Sequence, residues 1–151
     1  MRILLNVKSF GKIEVVSRSK FIKSLFINNV KVDFVSLPYQ WIDDPIFSDY
    51  IRLASIKDIS AMKLAALTNR GSKKDFIDIA LLLDKLGLDQ MMRFYQEKYP
   101  DGTEMMVLRS LLYFEDADNQ ADPVMLIPYD WGKIKKLILD ETKKFLKQGE
   151  V

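Results

Sequence analysis

The sequence predicts an α+β fold, a small N-terminal antiparallel or mixed sheet followed by a helical bundle. Three observations carry this. β-Branched and aromatic residues concentrate in three short runs before Pro38. From Ser55 onward, repeated capping signals precede stretches with apolar residues at helical spacing. The 151 residues are 48% hydrophobic and 29% charged, enough for one domain or for a small sheet joined to a helical half. The expected division is a β region over residues 1–54 and a helical region over 55–151.

The strands are expected at residues 12–18 (KIEVVSR), 21–27 (FIKSLFI) and 30–37 (VKVDFVSL). Asn28 and Asn29 tolerate positive φ and so fit a two-residue hairpin turn. That turn sets Ile27 opposite Val30 and Ser24 opposite Asp33. Pro38 cannot donate to a ladder and ends the third strand. Residues 39–52, with Asp43-Asp44-Pro45 and several aromatics, read as a loop or irregular segment.

Ser55-Ile-Lys-Asp58 is a capping box, and its helix should run to about Asn69 with Ile59, Met62, Ala66 and Leu67 as the buried stripe. Gly71 supplies the stop. Ser72-Lys-Lys-Asp75 is a second capping box, opening a helix through Phe76, Ile79, Ala80 and Leu83 that Gly87 ends. Asp89 is expected to cap a third helix reaching Tyr99, before the Pro100-Asp101-Gly102 turn. Thr103 opens a fourth, to about Phe114. Residues 115–123 read as an acidic loop. Asp130 caps a last helix over residues 131–147, with lysines near its C-terminal end as the macrodipole favours. No internal repeat or low-complexity tract interrupts this order.

Composition narrows the chemistry. There is no Cys and no His, which excludes thiol or imidazole catalysis and thiolate or imidazole metal sites. Carboxylates, Lys, Arg, Ser, Thr and Tyr are left, and carboxylates with a hard cation such as Mg2+ are the natural combination. A formal net charge of +2 does not argue for nucleic acid or membrane. No apolar run is long enough to span a bilayer, and the apolar patch near Met1 carries no small-residue cleavage site, so a cytoplasmic protein is expected.

Three stretches taken together are similar to one family: residues 30–37 (VKVDFVSL), residues 51–66 (IRLASIKDISAMKLAA) with 69–78 (NRGSKKDFID), and residues 108–118 (LRSLLYFEDAD). In this order and at these distances they resemble the AbiEii/AbiGii toxins, and the similarity covers most of the chain from about Glu14 onward. The resemblance implies a polymerase-β-like nucleotidyltransferase followed by a helical domain, the toxin half of a toxin–antitoxin or abortive-infection pair. It also implies Mg2+ and an NTP as cofactors, nucleotide transfer to an acceptor such as tRNA, and a cognate antitoxin as partner. In the family pattern a Gly-Ser segment leads into Asp-x-Asp on a strand. A third Asp sits on a later strand, a Lys on the next helix handles the triphosphate, and an Arg–Asp element follows.

On that pattern Asp33 matches the later-strand Asp and would be a metal ligand, since phosphoryl transfer needs its charge neutralised around rigidly held carboxylates. A polar residue on a solvent-facing strand side is the simpler alternative. Lys63 matches the triphosphate Lys. It interrupts the apolar segment Ala61-Met62-Lys63-Leu64, and the alternative is an amine snorkelling to water. Lys63, Arg70, Lys73 and Lys74 form a candidate phosphate-binding set near a helix N-terminus, against an ordinary solvated turn. Asp75 and Asp78 match the acidic positions of the Arg–Asp element and share a helix face. The capping box accounts for Asp75 as a structural residue. Asp78 lies among Phe76, Ile77 and Ile79 and asks for a partner, Arg70 or Lys63, with a general-base role as the catalytic possibility.

Neither Gly71-Ser72 with Asp75 and Asp78 nor Asp116-Ala-Asp118 supplies the Gly-Ser…Asp-x-Asp element. The first opens a helix at the wrong acidic spacing, and the second follows a helix late in the chain. Before Asp33 the one acidic residue is Glu14. A single carboxylate holds Mg2+ poorly. The expectation is therefore a truncated nucleotidyltransferase core, incomplete or inactive as this chain. It would be a fragment, the product of a shortened gene, or a degenerate non-catalytic module binding an antitoxin or another protein.

Overall fold

A computed structural model describes residues 11–148. The apolar patch at residues 1–10 and the last three residues lie outside the described residues. The architecture is α+β, with a small antiparallel sheet first and helices after it. The contacts form two compact units, one ending at Tyr39 and the other beginning at Gln40.

The first unit is a three-stranded antiparallel sheet of β1 (Ile13–Arg18), β2 (Ile22–Ile27) and β3 (Val30–Val35), in that order. Asn28 and Asn29 both take positive φ, 48° and 67°, and the hairpin they close has the expected register, Ile27 opposite Val30 and Ser24 opposite Asp33. Asn28 also ties down the start of β1, where its Oδ1 accepts from the Lys12 amide at 3.0 Å. Only glycine fits beside it, because a Cβ on Gly11 would lie 2.3 Å from that oxygen. At the β1–β2 connection, Ser19 Oγ accepts from the Ile22 amide at 2.9 Å. A register shift between Val15 and Ser17 makes a bulge in β1.

The second unit begins with a departure from expectation. Residues 46–53 are a hairpin, β4 (Ile46–Ser48) and β5 (Ile51–Leu53), where residues 39–52 were predicted as a loop. Asp49 turns the chain at φ 52°. Strands of three residues are too short to show alternation, so Asp49's tolerance of positive φ was the available signal.

Helix α1 (Ile56–Arg70) starts at Ser55, whose hydroxyl accepts from the Asp58 amide at 3.1 Å, and ends at Gly71 in the left-handed region. Its buried residues are Asp58, Ser60, Ala61, Leu64 and Leu67, whereas Ile59 is exposed and Met62 and Ala66 are half-buried. The expected stripe is therefore rotated. The reason is that α1 packs against α2 (Lys73–Leu86), α3 (Leu88–Lys98) and α4 (Glu104–Leu112). A helix covered from three sides carries no single apolar face to read. Gly87, not Asp89, is the N-cap residue of α3, and Asp89 sits in its first turn. The acidic segment contains a short helix, α5 (Glu115–Asp118), where a loop was expected. In α6 (Trp131–Gln148), Asp130 caps as predicted, accepting from the Lys133 amide at 3.0 Å.

The core of this unit gathers Leu64 and Leu67 of α1, Phe76 and Ile79 of α2, Met91 of α3, Leu111 of α4 and Ile138 of α6. Phe76 stacks on Phe114 at 4.8 Å and meets Trp131 edge-on at 5.9 Å. Trp131 in turn donates to Asp118 Oδ1 at 2.6 Å, which also receives Lys135 at 2.8 Å. Asp118 is thus a structural acid joining α5 to α6.

A second polar tie is fully buried. Lys98 Nζ lies 2.7 Å from Asp58 Oδ1 and 2.8 Å from the Gln40 carbonyl, with the Trp41 ring 4.9 Å away. Asp58 further accepts from Ser55 Oγ and from the amides of Ile42 and Asp43. Burial pushes the Asp58 carboxyl up, but these donors together hold it below its ordinary value of 3.8. A folded value below the unfolded one gives stability that is present above pH ~4 and lost as pH falls through the lower folded value. Removing one partner strands the other in a dry site, which costs about 3–5 kcal/mol. Lys98→Met should accordingly lower unfolding stability in urea by that order at pH 7, with a smaller deficit below pH 4. An unchanged midpoint would show that the pair holds nothing.

Candidate active site: an ionic cluster on the first helical hairpin

The turn at Gly71-Ser72 folds α2 back beside α1, and the residues proposed from the sequence meet across it. Lys63, on α1, bonds Asp78 of α2 directly and stands 3.9 Å from Asp75. Arg70, in the last turn of α1, grips Asp75 with two bonds of 2.7 Å, from Nε to Oδ2 and from Nη2 to Oδ1. This fork geometry is among the stronger polar contacts a protein makes. Ser72 Oγ donates to the same carboxylate. Here the second capping box departs from expectation. The Ser72 hydroxyl turns to the Asp75 side chain, and the Asp75 amide bonds the Ser72 carbonyl at 2.8 Å. Arg70 has drawn the carboxylate into the turn, and the hydroxyl follows the stronger acceptor.

Asp75 is fully buried, while Lys63, Asp78 and Arg70 keep 28%, 40% and 53% of their side chains exposed. Burial pushes the Asp75 carboxyl up, yet Arg70, Ser72 and the nearby Lys63 charge hold it below the ordinary range. The cluster therefore has a neutralised interior, Arg70 on Asp75, and an ion pair at its rim, Lys63 on Asp78. An ammonium at the rim can exchange one anion for another without leaving a buried charge unpaired.

The remaining candidates take other positions. Lys73 is buried. Its amine bonds the Gln120 carbonyl at 2.7 Å and Asp122 at 3.0 Å, and lies 5.5 Å from the Trp131 ring. Lys74 is exposed. Asp33 belongs to the first unit, in the middle of β3. Its carboxyl is held below the ordinary range by the Ser24 hydroxyl and, more weakly, by Lys31 at 3.5 Å. Among the described residues no three His, Cys, Asp or Glu side chains gather where a metal could be held. The sequence assigned no role to Arg109 and Tyr113, which line a concavity with Arg70; their placement within residues 108–118 was the available signal.

Arg70→Ala should destabilise the protein by about 2 kcal/mol, because it leaves the buried Asp75 carboxylate short of donors. Adding Asp75→Asn in that background should recover part of the loss, measurable by urea unfolding of the two single variants and the double. If the second substitution simply adds to the first, Asp75 does not depend on Arg70.

Residues 12–147 match the family described as nucleotidyl transferase AbiEii toxin, type IV toxin–antitoxin system. The chain is also 28% identical over 144 residues to an uncharacterised protein of Aquifex aeolicus (strain VF5), covering 93% of this chain and 69% of that one. No solved structure matches significantly. No helix among the described residues is long and apolar enough to cross a membrane. With a match from residue 12 to residue 147, and with the Arg70–Asp75 and Lys63–Asp78 pairs lying inside it, the chain belongs to the AbiEii nucleotidyl transferase toxin family.

Proposed function

We propose that this cytoplasmic chain carries the nucleotide-handling part of an AbiEii-type nucleotidyltransferase, with Lys63 as the residue that receives the NTP triphosphate. One observation supports this above the others. The Lys63 ammonium sits at the rim of a cluster whose buried acid, Asp75, is already neutralised by Arg70. A triphosphate carries several negative charges and displaces the half-exposed Asp78 carboxylate from Lys63 at little cost. The displaced Asp78 is then an open acceptor, suited to take the proton of an attacking hydroxyl, the general-base role. Lys74 extends the positive field toward phosphate, Arg70 stays committed to Asp75 with its exposed edge beside the site, and Lys73 supports the fold through Asp122.

Asp33 is the carboxylate this chain offers toward Mg2+. The described residues by themselves do not fit a divalent-metal centre, and the Lys31 amine 3.5 Å from Asp33 lowers its value as a ligand further. Transfer of NMP to an acceptor such as tRNA would need further carboxylates from another segment or subunit. Losing that positioning removes about 7–11 kcal/mol of barrier lowering. The other reading, a non-catalytic module that binds an antitoxin or another protein, draws support from the apolar exposure of Val124, Leu126 and Ile127.

Incubating the purified chain with labelled NTPs, Mg2+ and bulk tRNA should yield no labelled RNA, while NTP binding persists and falls about tenfold in Lys63→Ala. Asp78→Asn should not weaken NTP binding, since it removes a competitor for the amine. Robust RNA labelling that disappears in Asp33→Ala would refute the incomplete-site reading. NTP affinity unchanged in Lys63→Ala would remove Lys63 from the site and favour the protein-binding module.

A further inference from the structure

Beside the ionic cluster, the C-terminal ends of α1 and α4 enclose a concavity of about 420 Å³ lined by Asn69, Arg70, Arg109, Ser110, Tyr113 and Asp116. This falls within the roughly 300–1,000 Å³ range of small-ligand sites. We infer that it is a nucleotide subsite, in which Arg109 holds a phosphate and the exposed Tyr113 ring carries the base.

Three features point to that chemistry. Among the described residues no acidic group lies within ion-pair distance of Arg109, which leaves its guanidinium as an uncompensated cation on the wall. Tyr113 is 52% exposed on the wall of the concavity, and a flat aromatic face of this kind stacks any base. The remaining polar groups can meet a base edge. The Asn69 amide spends one N–H on the Ala65 carbonyl at 2.7 Å and keeps its oxygen and second N–H, while the Tyr113 hydroxyl donates to Asp116 Oδ1 at 3.5 Å. An arginine in the last turn of a helix also complements the helix dipole, but that role asks for neither an aromatic platform nor a concave wall.

Arg70 connects the two features, since it lines the concavity while its fork holds Asp75. The phosphate identity of the ligand rests on the nucleotidyltransferase reading. The nucleotide comes from one of two sources, the NTP itself or the strand of an RNA acceptor, and both present the same phosphate and base.

The test uses the full chain with two probes, ATP followed by calorimetry and a fluorescein-labelled eight-nucleotide single-stranded RNA followed by anisotropy. Arg109→Ala and Tyr113→Ala should each weaken at least one probe about tenfold, while Tyr113→Phe keeps the stacking surface and binds as the parent does. For RNA, Arg109→Ala should also reduce the slope of log K against log salt by about 0.7, one phosphate contact on a single strand. Loss confined to RNA assigns the concavity to the acceptor, and loss for ATP assigns it to the donor; both support the subsite. Unchanged affinity for both probes in both Ala variants, with the far-ultraviolet circular dichroism of the parent, overturns it. Should an Ala variant unfold, Arg109→Gln and Tyr113→Leu carry the same comparison. Lys63→Ala run in parallel separates the two claims: normal binding there with loss in Arg109→Ala sinks the Lys63 reading and keeps this one.

Discussion

A carboxylate withdrawn from water must be neutralised where it lies, and Asp75, on the second arm of a helical hairpin, meets that requirement through residues of the first arm and the turn. Arg70 approaches it from α1, Ser72 from the turn and Lys63 from one face further up α1. The left-handed Gly71 makes the geometry possible by letting the chain reverse directly after Arg70. Without the Arg70 fork, Asp75 would be a buried anion with too few donors. With it, the hairpin has a fixed register, and that register brings Asp78 to Lys63. The surface pair that the functional reading depends on thus follows from the buried one beneath it.

The Asp58–Lys98 pair does the same at the opposite end of α1. It is enclosed more completely, and it pins both the end of α3, through Lys98, and the chain at Gln40, Ile42 and Asp43. Two buried acids on or against one helix make α1 a poor amphipath and a well-anchored one. Its apolar residues Ala61, Leu64 and Leu67 fill the space between the two ties. Rigid anchoring suits a helix that presents a lysine to a charged ligand, because a held side chain loses less freedom on binding.

What was legible in the sequence was local. The Asn28-Asn29 turn and its register depend on four neighbouring residues, and the caps at Ser55 and Asp130 depend on three or four. The rest needed tertiary information. Lys98 meets Asp58 from 40 residues away, and Lys73 meets Asp122 from 49. No periodicity reports such pairs, so Lys73 read as one more cation of a basic turn. The acid spacing of Asp75 and Asp78 indicated a shared face, and the apolar neighbours of Asp78 called for a partner, Arg70 or Lys63, while the capping box accounted for Asp75. Which cation took which acid was decided by the hairpin geometry. The hairpin at residues 46–53 and the rotated stripe of α1 escaped for opposite reasons, one element too short to show a period and the other too enclosed to show a face.

The central claim is that Lys63 exchanges Asp78 for a triphosphate while Arg70 keeps Asp75. A crystal structure of the chain with a non-hydrolysable NTP analogue tests it most directly. The predicted result is a phosphate oxygen within hydrogen-bonding distance of Lys63 Nζ, Asp78 released, and the Arg70–Asp75 fork intact. An analogue bound elsewhere with the Lys63–Asp78 pair unbroken would contradict it.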